Sequence, residues 1–70
     1  MKQRVYVVSL LSNGERWHSF ITGSLHSAKW RLAASYGITE LVNKGNSFEI
    51  LRSPSDHSQT AVISDKILLD

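Results

Sequence analysis

Three histidines, His18, His26 and His57, are the side chains of this sequence best suited to bind a metal or move a proton near neutral pH. They fall in a strand-like run, at the start of a helical stretch and in a turn. None has an i,i+4 partner, and no cysteine or paired carboxylate stands at ligand spacing. No metal site is expected. Ser53, Asp56 and His57 spell the letters of a hydrolase triad, but side chains crowded into one turn do not easily reach the positions of nucleophile, base and orienter. The four glycines act as punctuation: Gly14 in a hairpin, Gly23 before a helix, Gly37 after it and Gly45 in a connection. No glycine loop remains to cradle a phosphate. A chain of 70 residues does not readily enclose the ~300 Å³ or more of a small-molecule site. The expectation is a non-enzymatic protein with no catalytic set and no cofactor.

The cationic and aromatic residues carry more information. Residues 1–35 hold Lys2, Arg4, Arg16, Lys29 and Arg31 against Glu15, whereas residues 36–70 hold three bases against five acids. The positive field therefore sits on the first half, where it can meet phosphate or an acidic protein surface, although its surplus is small beside that of dedicated nucleic-acid binders. Arg4, Tyr6, Arg16, Trp17 and His18 supply phosphate-pairing cations and stacking rings. Strand alternation, however, puts Arg16 and His18 on one face and Tyr6 and Trp17 on the other. Trp30 beside Arg31 has the composition of an interface hot spot; the alternative is that Trp30 packs on a sheet edge as peripheral core.

Asn13-Gly14 joins two strand-like runs within residues 4–22 and marks a hairpin, because both turn residues tolerate positive φ. With those two as the loop, Leu10 would pair with Trp17, Val8 with Ser19 and Tyr6 with Ile21 on one face. Leu11 would pair with Arg16, Ser9 with His18, Val7 with Phe20 and Val5 with Thr22 on the other. Ser24 is placed to cap a helix over residues 25–36 that Gly37 ends. Leu25, Ala28, Leu32 and Tyr36 make its apolar stripe, from which Trp30 is excluded. Ile38 to Gly45 reads as a strand-like or irregular connection. Residues 47–52 read as a strand with Phe48 and Ile50 inward, and residues 59–64 as its antiparallel partner across the turn Ser53–Ser58. Ile67 to Leu69 reads as a last short edge strand. The order is ββαββ(β), an antiparallel sheet packed on one main helix, in the α+β class.

Both faces of the hairpin are substantially apolar, and no single helix covers both. If Val5, Val7, Leu11 and Phe20 meet the helix, then Tyr6, Val8, Leu10, Trp17 and Ile21 face outward. The opposite choice exposes Val5, Val7, Phe20 and His18. Tyr6, Val8, Leu10, Ile21 and His18 are thus candidate sheet-face contacts, since contiguous apolar surface on a small chain marks an interaction site. The bland alternatives are that residues 67–69 or 38–42 fold across the second face, or that a homodimer buries it. A chain this small buries only about 60% of its unfolded surface, so it needs a well-filled core or a partner. Without cysteine there are no disulfides, which fits a reducing cytoplasm. The Met1–Arg4 start faintly imitates a signal peptide but lacks a cleavage pattern, and no stretch nears the ~20 apolar residues that cross a bilayer.

Ser19-Phe20-Ile21-Thr22 followed by Ser24-Leu-His-Ser-Ala-Lys-Trp30, within residues 4–36, resembles the three-stranded DNA-binding domains of phage integrases and the plant AP2 type. That resemblance implies a core role for Phe20 and a groove-facing sheet. The groove positions would be Val8, Leu10 and Ile21 instead of Arg and Lys, which argues against duplex readout. The whole layout, a basic hairpin, one long helix opened by Ser24-Leu-His-Ser-Ala-Lys29, then antiparallel strands, is similar to small phage-encoded anti-CRISPR proteins. Such a resemblance implies a non-catalytic inhibitor in the host cytoplasm that docks on a host protein or nucleoprotein complex. Arg16, Trp17, Lys29, Trp30 and Arg31 are the partner-binding residues it suggests. A direct nucleic-acid-binding domain is the alternative, with no membrane partner and either a monomer or a homodimer.

Overall fold

A computed structural model describes residues 2–69 of the chain. The chain's length leads us to expect one small domain over residues 1–70, of which Met1 and Asp70 lie outside the described residues. Strand β1 (Lys2–Ser12) turns into β2 (Glu15–Thr22) through Asn13 and Gly14, at φ of 52° and 83°. Both are left-handed, the condition for a two-residue turn whose twist matches its strands. The Ser24 hydroxyl accepts the Ser27 amide at 3.1 Å and so caps α1 (Leu25–Arg31). A wider π turn over Leu32–Tyr36 continues the helix, and Gly37, at φ 67°, closes it by donating its amide to the Leu32 carbonyl. Three more strands follow: β3 (Glu40–Lys44), β4 (Phe48–Arg52) and β5 (Gln59–Leu69).

Among the described residues the five strands form one sheet in the order β2-β1-β5-β4-β3, and every neighbouring pair is antiparallel. The fold is α+β, ββαβββ, with its helix on one face. Val8 and Leu10 from β1, Ala61 and Ile63 from β5, and Leu51 from β4 meet Ala28, Leu32 and Ile38 in the core. Tyr6, Phe20, Leu25 and Tyr36 pack around its margin. The helical stripe expected from spacing is therefore the buried one.

Several sequence expectations change. Pairing is as expected next to the turn, Leu11 with Arg16, but a bulge then shifts the register so that Leu10 pairs with His18 and Val8 with Phe20. Phe20 consequently joins Tyr6, Val8 and Leu10 on the helix side. Val8 and Leu10 are fully buried there and are core, not sheet-face contacts or groove positions. Ile21, paired with Val7, does lie on the opposite, open face.

On β4 the inward residues are Glu49 and Leu51, at 5% and 4% exposure, so Phe48 and Ile50 point outward, the reverse of what their apolar character suggested. The connection after the helix contains a true edge strand, β3. The tail is not a separate edge strand: residues 59–69 run unbroken through the middle of the sheet, paired with β1 along their length. Neither the tail nor residues 38–42 crosses the second face.

Candidate functional site

The bulge in β2 builds the site. Trp17 is the residue that β1 leaves without a partner, so Trp17 and His18 present their rings on the same side. Their centroids lie 5.8 Å apart with planes 30° apart. On the facing element, the π turn inserts its own extra residue and delivers Tyr36 to the same spot. Tyr36 meets Trp17 edge-on at 6.1 Å and stacks on Phe20 at 6.3 Å and 15°. His18 to Phe20, at 6.3 Å, closes a circuit of four rings. Two irregularities, one in a strand and one in a helix, thus meet at one place, and each ring pair contributes ~0.5–1.5 kcal/mol beyond its buried area.

Arg31 caps this circuit, its guanidinium carbon 4.1 Å from the centre of the Phe20 ring. Trp17 remains 55% exposed, so one side of its indole is free while the other is braced. Trp30, one residue before Arg31, is 64% exposed and lines a shallow depression with His26, Ser27 and Arg31. It belongs to neither the core nor a sheet edge. Of the expected binding residues, Trp17 and Arg31 therefore meet between β2 and the helix, and Trp30 adjoins Arg31 on the outer side of the helix. His18 joins them from the sheet-face group.

Lys29 and Arg16 do not. The Lys29 ammonium lies 2.8 Å from Oε1 of the buried Glu49, on the β4 side of the helix. Arg16, paired with Leu11, is exposed and points by alternation toward the open sheet face. Tyr6 is half-buried at the far end of the helix, beside a cavity of about 160 Å³ that Leu25, Phe48, Glu49, Ile63 and Asp65 also line. That volume is below the ~300 Å³ scale of small-molecule sites, and its two carboxylates already hold cations, Glu49 with Lys29 and Asp65 with Arg4 at 3.4 Å.

The triad letters have a local use. The Asp56 carboxylate accepts the Ser58 hydroxyl at 2.7 Å and its amide at 3.1 Å, which holds the Asp56 pKa below the usual carboxylate value. Ser53 accepts the Asp56 amide at 3.3 Å. These bonds make the turn between β4 and β5. Among the described residues no three histidine or acidic side chains gather to hold a metal, and no helix is long and apolar enough to cross a membrane.

Tyr36 and Phe20 are site residues that sequence reasoning missed, because their apolar character assigned them to the core. The only available signal was the aromatic density of Trp17-His18-Ser19-Phe20. The arrangement is a small α+β protein with aromatic and cationic side chains assembled on one surface. No family model, curated protein or solved structure matches the chain.

Proposed function

We propose that this protein is a non-catalytic binding module that docks on a host protein or nucleoprotein complex through the surface formed by Trp17, His18, Tyr36, Trp30 and Arg31. One observation carries this: both indoles are more than half exposed, and Trp17 is held in place by neighbouring rings. An exposed aromatic that is already ordered loses little entropy on binding, and Trp and Arg dominate measured interface energies. The similarity in layout to anti-CRISPR proteins supports a narrower form: a phage or mobile-element inhibitor that occludes a host surveillance complex.

Affinity capture from the host lysate tests it, with wild type run beside Trp17→Ala and Trp30→Ala. Because both side chains are exposed, each variant keeps the wild-type circular dichroism spectrum. Each weakens the captured partner by ~2 kcal/mol or more, about thirtyfold. Capture that both variants leave unchanged overturns the assignment.

Direct nucleic-acid binding is a second reading, favoured by the bulge, which sets Trp17 and His18 side by side near Arg31 instead of on opposite faces. In that case log K for single strands falls linearly with log salt, with a slope of about −0.7 per phosphate contact. Absence of binding at low salt removes it.

A further inference from the structure

The helix covers one side of the sheet only. By alternation and register, the other side carries Val5, Val7 and Leu11 of β1, Ile21 of β2, Ile50 and Phe48 of β4 and Val62 of β5, with Ser9, Ser19, Ser64 and Thr60 between them. None of these belongs to the core cluster or packs against it. Val5, at one end, is buried by its neighbours; Val7, Leu11, Ile50 and Val62 are half-buried, and Ile21 is 59% and Phe48 37% exposed. We propose that this face is covered by the same face of a second copy of the chain, forming a closed two-fold dimer.

Three observations select that occupant. The first is charge. Arg52 is the cation that β4 places on this face, and it is already bonded to Glu40 at 3.1 Å, on the same face. Two exposed cations stand at opposite ends of the face, Arg16 across from Leu11 and Lys66 across from Val5, at the rim of such a contact. Between them the centre of the face is uncharged, apolar and hydroxyl-bearing, which suits a self-complementary contact.

The second is area. Five strands at ~4.8 Å spacing, each presenting about 18 Å of length, give a footprint of roughly 400 Å² before side-chain relief is counted. Two such faces stacked ~10 Å apart remove about 1,000 Å² of surface in all, the lower bound for a specific interface. The third is that the alternative mode of sheet association is blocked. Both outer strands are bulged, β2 at Trp17 and β3 between Leu41 and Asn43, and bulged edges resist strand-to-strand pairing. Sheet association is thereby directed to the face.

Val62, on the middle strand and paired with Ser9, lies near the centre of the face. Ile21 lies at its margin. Sedimentation equilibrium on the full chain, from low micromolar to about 100 μM, tests the proposal. Wild type is expected to sediment at twice the chain mass, and Val62→Lys and Ile21→Glu to weaken association at least tenfold with unchanged circular dichroism. Should Val62→Lys fail to fold, Ile21→Glu, at an exposed position, decides alone. A monomer throughout the range overturns the proposal, and so does an open-ended series of oligomers. A dimer that survives the face variants but is lost in Trp17→Ala or Trp30→Ala also overturns it, since the contact then lies on the helix side.

Discussion

At the scale of single residues, the ion pair of Lys29 and Glu49 ties the helix to β4 and engages one of the helix's two cations. Glu49 is 5% exposed, whereas the Lys29 side chain is 43% exposed, so the pair is open on one side and its worth lies below that of a fully buried bridge. Lys29→Met leaves a buried carboxylate without its cation and is expected to cost about 1–3 kcal/mol, read as a lower urea midpoint at unchanged slope. Lys29→Met combined with Glu49→Leu should recover most of that loss, because no buried charge is then stranded. Neither change should alter partner capture, in contrast to the indole variants. Glu49 also explains one failure of sequence reading. Alternation ranks Phe48 and Ile50 as inward because they are more apolar than their neighbours, and only a lysine on another element reverses the preference.

At the scale of elements, the features legible in the sequence were those set by backbone chemistry over a few residues. Asn13-Gly14 needed left-handed φ, Ser24 offered a cap, and Gly37 ended the helix; all three stand where expected. The bulge at Trp17 and the π turn before Gly37 were not legible, because each depends on the other element's packing and leaves no local signature. The outer hairpin of β3 and β4 was half-seen for the same reason. It is clasped by Arg52, whose guanidinium donates to Glu40 at 3.1 Å. That hydrogen bond holds the Glu40 pKa below the ordinary carboxylate value and raises that of Arg52. A lowered carboxylate pKa adds stability that is complete above the unfolded value and disappears as pH falls through the folded one. Wild type should therefore exceed Glu40→Gln in urea midpoint at neutral pH, by a small margin because the pair is exposed. The gap should close in acid, once Glu40 is protonated in both states. A gap that persists unchanged into acid would assign the effect to packing instead of charge.

At the scale of the whole molecule, the question is how a 70-residue chain stays folded when its helix covers one sheet face only. Its helix-facing core is compact, built on Val8, Leu10, Leu32 and Ile63, each with at most 1% exposure. A chain of this size has little stability to spare, so a second copy on the open face would contribute materially. Packing the open faces together turns both helices outward, and the surface of Trp17, Trp30 and Arg31 stays accessible on each protomer. The dimer would then carry two docking surfaces pointing away from each other, with no competition between self-association and partner binding. Folding and association are linked by mass action, which gives a thermal signature. Each tenfold dilution weakens the dimer by ~1.4 kcal/mol, half of it per protomer, which lowers the midpoint by about 3–5 °C for a chain this short. Calorimetry across two decades of concentration should show that drift for wild type and for Trp30→Ala, whose change lies on the far side of the molecule. Ile21→Glu should melt at a lower temperature that no longer depends on concentration. A concentration-independent midpoint for wild type would mean that the open face contributes nothing to stability, and that the helix-side core alone holds the chain.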